Sequence, residues 1–279
     1  MVLESLLNPL ALKTRPWEMF FAGFIYAVVG LLLSYFSFRE HTGLLMVSFI
    51  VMAAIPMVYV AIKKEEKLDL KMNSEWRLLQ EHSKVIMFLV FLFLGIMSAL
   101  VLAYVFLPQD TAKTIFNVQE QEIIDVNNNV QGKIITFDIF IKIFLNNMKV
   151  LFFCLAFSFL YGFGALFILT WNASVVAAAM GNLIKSKLGA AASVIGFNTL
   201  SSYFGVATFG FLRYMTHGVF EVVSYFIAGL AGSIVSIAVI RGNMENKKVI
   251  KDTLFLFLIS IGVLLFAVIV EVYFTPLFF

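Results

Sequence analysis

Long apolar runs, uninterrupted by polar alternation and almost free of charge, constrain this chain more than any other feature. Trp17–Phe38, Thr42–Ile62 and Val85–Leu107 are the clearest. A run of about twenty apolar residues crosses the hydrocarbon core of a bilayer as a helix. Backbone polar groups in lipid must be satisfied inside the segment, so such runs are helical. A transmembrane β-barrel needs alternating segments with polar positions towards its lumen, and these runs do not alternate. Composition agrees: 61% of residues are hydrophobic and 13% are charged, about half the charge that covers a soluble domain. The expected fold is an all-α, polytopic transmembrane helical bundle.

Further spans are expected at Met148–Thr170, Val219–Ile240 and Thr253–Phe274, with Pro108 and Pro276 as stops and Pro56 as a tolerated kink. Gly189–Leu212 is apolar but interrupted by Asn198, Thr199, Ser201 and Ser202; it reads as a span, a broken helix or a re-entrant hairpin. Six or seven crossings follow, and seven is preferred because of the basic residues. With the N-terminus in the cytoplasm and Gly189–Leu212 crossing, fourteen Lys and Arg lie inside and six outside, as the positive-inside rule requires. Lys185 and Lys187 are then inside, and the C-terminus is outside. Lys13, Arg15 and Pro16 before a long first run do not resemble a secretory signal, so that run is read as a retained span.

Three regions are expected: 1–107, three spans with a cytoplasmic charged segment at 63–84; 108–147, an external loop and amphipathic helix; and 148–279, a C-terminal membrane bundle. Two stretches read as interfacial helices. Leu68, Met72, Trp76 and Leu79 share one face. Phe137, Phe140, Ile141, Phe144, Leu145 and Met148 share another, opposite Asp138, Lys142, Asn146 and Lys149. Such helices lie in the headgroup plane or pack on the rim of the bundle. The stretch 109–136 is read as a polar loop.

The most informative side chains are His217 and Glu221. On a helix they lie one turn apart on a face continued by Ser224, Ala228 and Gly232. Small residues allow close helix approach in lipid, so this face should meet another helix. A carboxylate within a span is costly and marks a functional candidate, with His217 as its expected partner; a structural pair pinning two helices is the other reading. Asn198 and Ser201, between Gly196 and Gly205, form a second candidate, as an unwound transporter-like site or as ordinary interhelical hydrogen-bonding groups. Glu271 is expected to snorkel to the headgroups. Cys154 is expected to be a small packing residue.

No catalytic residue, metal site or cofactor is expected. H-E-x-x-H and G-x-S-x-G are absent. His41 and His82 are placed in loops, too scattered to build the three or four ligands that zinc takes. No basic domain or basic–aromatic module points to nucleic acid. The expected partners are membrane lipids, other proteins and a possible second copy of the chain.

An ordered set of small and polar residues runs through the second half: Asn146-Asn147, then Gly162 and Gly164 within a span, Asn172 after it, His217-Gly218 with Glu221, and Gly229 with Gly232. In order and spacing this set resembles the stage II sporulation protein M family. It departs from the family at Asn172-Ala173, where the family usually has Asn-Gly. The founding member is a multi-pass membrane protein that holds two peptidoglycan-cutting partners at the membrane during engulfment. The resemblance therefore implies a non-enzymatic membrane scaffold or assembly factor. A transporter or channel with a polar intramembrane site is the alternative.

Overall fold

The computed structural model describes residues 15–71, 75–130, 136–161, 164–195, 200–240, 242 and 247–278. The described residues are almost entirely helical. In chain order the helices are α1 (Glu18–Ser37), α2 (Thr42–Lys71), α3 (Glu75–Phe106), α4 (Gln109–Val130), α5 (Thr136–Tyr161), α6 (Ala165–Ile195), α7 (Leu200–Ile240) and α8 (Lys247–Ile269). A 3₁₀ turn at Arg39–His41 joins α1 to α2; α8 continues through a π-helical turn, Val270–Phe274, into a last helical turn, Thr275–Phe278.

Seven of these helices are long and apolar enough to cross a membrane, with apolar segments at Glu18–Ser37, Arg39–Ala61, Leu79–Phe106, Phe137–Leu160, Ala165–Ser186, Tyr214–Ile240 and Lys247–Leu277. The expected number is right, but two assignments change. The fourth crossing is Phe137–Leu160, not Met148–Thr170, and the fifth is Ala165–Ser186, not Gly189–Leu212. The cause is the turn before Ala165, where one apolar run is divided between two helices. A Cβ at Gly164 would collide with the Phe157 carbonyl and lie 2.7 Å from Phe157 Cβ. Gly164 thus lies between α5 and α6 rather than inside a span, Gly162 falls outside the described residues, and Asn172 sits within α6.

The new partition moves Lys185 to the other side of the bundle. Its Nζ donates to the carbonyls of Tyr104 at 3.2 Å and Leu107 at 2.7 Å, at the C-terminal end of α3. Cationic donors favour a helix C-terminus, whose last carbonyls lack partners. Residues 187–195 and 200–213 prolong α6 and α7 beyond their apolar segments at that same end.

The stretch 109–136 is not a loop through 130. It forms α4, with Ala112, Ile115, Phe116 and Gln119 buried at i, i+3, i+4 and i+7 spacing. Gln119 Nε2 donates to the Gly43 carbonyl at 3.2 Å and to Ser174 Oγ at 3.1 Å, tying α4 to α2 and α6. The amphipathic stretch at 137–148 is likewise no separate in-plane helix; it is the first half of α5, and α5 runs across the expected boundary at 147/148. In the 63–84 segment, α2 and α3 continue past their apolar segments, and Leu79 packs against the core. Leu68, Met72 and Trp76 fall outside the residues whose side chains are described. His82, expected in a loop, is buried on α3.

One apolar core runs from Met19 on α1 to Leu264 on α8. Without a hydrophobic drive between helices in lipid, close backbone approach carries much of the packing. Gly23 on α1 faces the Leu92 carbonyl, and Gly95 on α3 faces that of Phe20, at distances that no side chain would permit.

Candidate functional site

The polar cluster is built where the starts of α5 and α7 meet the end of α8. Asn147 on α5 donates from Nδ2 to Glu221 Oε1 at 2.5 Å. Glu221 and Glu271 are neighbours in this cluster, and Glu271 Oε2 is buried without a hydrogen-bond partner among the described residues. His217 Nε2 stands 4.0 Å from Glu271 Oε1, and His217 Nδ1 stands 3.4 Å from Thr275 Oγ1. Tyr225 is buried one turn further along α7.

Each helix delivers its group for a local reason. His217 and Glu221 are one turn apart on α7, as expected. The π-helical turn inserts an extra residue into the helical ladder at 270–274. Such a turn shifts the facing of the side chains after it and is frequent at functional sites. Thr275 Oγ1 donates to the Val270 carbonyl at 3.1 Å across this turn, sharing a carbonyl that also accepts the Thr275 backbone N–H. Glu271 therefore turns towards Glu221, not towards the headgroups as expected. The expected exclusive pairing of His217 with Glu221 gives way to a four-membered arrangement with Asn147 and Glu271.

Below the cluster the face becomes small. Ser224 is buried, and its hydroxyl donates back to the Glu221 carbonyl at 2.6 Å. A Cβ at Gly229 would lie 2.7 Å from Ala165 Cβ. A Cβ at Gly232 would collide with the Leu155 carbonyl and meet Ser158 Cβ and Phe159 N at 3.1 Å. The expected close approach at Gly229 and Gly232 is thus present: the start of α6 uses it at Gly229, and α5 uses it at Gly232. Ser158 Oγ accepts from Ala165 N at 3.0 Å, bracing the turn into α6.

The remaining candidates do not join this cluster. Asn146 is exposed beside Asn147. Gly218 has only Met215 Cε, at 3.9 Å, near the place of a Cβ. Asn172 donates to the Ile168 carbonyl at 3.1 Å within α6. Asn198 lies outside the described residues, and Ser201 lies on α7 with its side chain outside the description. Among the described residues, no group of three or more His, Cys, Asp and Glu is disposed to hold a metal ion.

Sequence reasoning missed Asn147 and Glu271 as partners of Glu221. The signal for Glu271 was available: an acidic residue inside a span is a functional candidate by default. Its distance of fifty positions from Glu221 hid the pairing.

Along this order Asn147 bonds Glu221, Gly232 lies against α5, Gly229 lies against Ala165 of α6, and Gly164 makes the turn between α5 and α6. No curated protein and no solved structure matches the chain. The family model described as stage II sporulation protein M matches residues 85–276, from α3 to the last helical turn and thus beyond the second half that the motif residues cover. A match over that much of a seven-helix apolar bundle makes the chain a member of the stage II sporulation protein M family of multi-pass membrane proteins.

Proposed function

We propose that this protein is a membrane-embedded scaffold or assembly factor that holds partner proteins at the cell membrane, without catalysis of its own. The observation that supports this reading is a groove of about 1170 Å³ between α2, α4, α5 and α6. Val51, Phe153, Phe157, Phe167 and Trp171 line it, with Asn172 and, from α4, Glu122 as its polar groups. Its lining lies mostly within apolar segments, so it opens sideways towards lipid. A lateral opening accepts a partner's transmembrane helix, and the Asn172 amide supplies a polar contact for it. The Phe137–Leu160 segment is 17% buried, against 78% for Tyr214–Ile240, so α5 offers most of its surface to partners or lipid. A solute path would instead need open space alongside Glu221.

A photo-reactive residue at Phe153 in native membranes tests the reading. Discrete protein adducts, absent when the probe replaces the lipid-facing Phe36 and lost when Asn172→Leu fills the groove, are expected. Lipid adducts alone would end the scaffold reading. Adducts of twice the chain mass would name a second copy as the occupant.

The orientation belongs to the same proposal. Seven crossings put the termini on opposite faces. With Lys185 and Lys187 moved outside, and counting only Lys and Arg beyond the apolar segments, an N-terminus in the cytoplasm leaves eight inside and four outside, still the sense of the positive-inside rule. In a Cys154→Ser background, an impermeant thiol reagent applied to intact cells should label Asn128→Cys and spare Ser74→Cys. The reverse pattern would invert the orientation.

A further inference from the structure

A second cleft, of about 1140 Å³, opens between α4 and the neighbouring ends of α3 and α6. Gln109, Ala112, Lys113, Glu120, Ile123 and Ile124 form the α4 wall; Tyr104, Asn182, Lys185 and Ser186 form the other. Tyr104 lies at the end of the apolar segment Leu79–Phe106, and Lys185 and Ser186 close the segment Ala165–Ser186. The cleft thus sits at the depth where hydrocarbon gives way to headgroups. It is on the same membrane face as the Glu221 cluster but is built from other residues.

Its walls carry charges of both signs. An ammonium has three N–H donors. Lys185 uses two of them on the carbonyls of Tyr104 and Leu107 and sits 5.7 Å from the centroid of the Tyr104 ring, which fixes its charge at the cleft wall. Lys113 is exposed on α4 one turn from the start of that helix. Glu120 lies seven residues further along, about 10 Å at the usual helical rise. The Tyr104 hydroxyl donates to its Oε1 at 2.6 Å, which orients the carboxylate and leaves Oε2 as an acceptor. Two cations and one oriented carboxylate lining one cleft suit a ligand with an anionic and an ammonium group. Ile123 and the half-exposed Ile124 continue the wall beyond the carboxylate with apolar surface.

We propose that this cleft binds the headgroup of an aminophospholipid, its phosphate between Lys113 and Lys185 and its ammonium on Glu120, with the first acyl carbons against Ile123 and Ile124. Lysine serves phosphate as a point charge. A primary ammonium donates hydrogen bonds to a carboxylate; a trimethylammonium has no N–H to donate. The cleft therefore distinguishes phosphatidylethanolamine from phosphatidylcholine through Glu120, and from phosphatidylglycerol through the same residue.

Native mass spectrometry of the full chain in detergent, with the three lipids at equal concentration, reads this directly. Phosphatidylethanolamine adducts should exceed those of either competitor roughly tenfold, the change expected when one charge-assisted hydrogen bond is lost. Glu120→Gln should remove that preference while leaving phosphate-dependent binding. Lys113→Gln, at an exposed position where folding is not at stake, should weaken all three lipids. Equal binding of the three lipids, or a phosphatidylethanolamine preference that survives Glu120→Gln, overturns the proposal. Complete displacement by soluble glycerophosphoethanolamine at matched concentration would overturn the lipid as the ligand, because the apolar wall would then contribute nothing.

Discussion

The contact between α5 and α7 has two ends of opposite character. At one end Gly232 brings the backbone of α7 against Leu155, Ser158 and Phe159, next to Gly229 against Ala165. At the other end Asn147, His217, Glu221 and Glu271 meet through side chains. The first end is held by close packing alone and tolerates no added atom. The second end is held by polar groups whose loss strands a partner. Steric contacts in a membrane protein fail when something is added, and polar contacts fail when something is removed.

The steric end carries the largest expected effect. Gly232→Leu should cost about 3 kcal/mol, at the upper side of ordinary overpacking, because a backbone carbonyl cannot swing away as a side chain can. Thermal unfolding in detergent measures it. An unchanged midpoint would mean that α5 does not pack on this face, and the comparison would collapse.

At the polar end, Asn147→Leu leaves the Glu221 carboxyl without its donor and should cost about 1–3 kcal/mol. The double variant Asn147→Leu with Glu221→Leu should recover part of that loss, since apolar replacement of both partners removes the unmet group. Strictly additive losses in that cycle would show that the two side chains do not meet.

A weaker effect is expected for His217 and Glu271, which stand 4.0 Å apart. The cycle of His217→Leu and Glu271→Gln should give a coupling of about 0.5–1 kcal/mol, at the low end for contacting residues. A coupling larger than that of Asn147 with Glu221 would make the histidine, and not the amide, the main partner of the carboxyl pair.

The smallest change separates the two ends most finely. Gly218 sits on α7 between His217 and the small stripe, yet it has open space where a Cβ would go. Gly218→Ala should therefore raise stability, by up to about 1 kcal/mol of helix propensity. A stable variant with lost partner adducts at Phe153 would place a partner's surface over Gly218.

The crossings at Glu18–Ser37, Arg39–Ala61 and Leu79–Phe106 were legible in the sequence to within a few residues, apart from the longer run-in to α3. The same was true of Tyr214–Ile240 and Lys247–Leu277 as crossings. The division of the apolar stretch 137–186 was not. Hydropathy cannot tell a span from its continuation, and the break depends on the Gly164 backbone lying against Phe157. Helix α4 was missed because its polar residues dominate the local average, although Ala112, Ile115, Phe116 and Gln119 carry the helical period. His217, Glu221 and the glycines were legible as candidates, since charge and absent side chains are costly or unusual within a span.

By itself the sequence determined a helical membrane protein of six or seven crossings and a small-faced helix with a carboxylate near one end. Both are sums over neighbouring residues: the transfer of twenty apolar side chains into lipid does not depend on what the rest of the chain does. The tertiary structure alone decided that Asn147 and Glu271 are the groups that meet Glu221, that Lys185 caps α3, and that two clefts open on the bundle. These are contacts between positions fifty or more residues apart in most cases, set by helix packing and by a π-helical turn. No local period in the chain encodes which distant side chain will fill the space opposite.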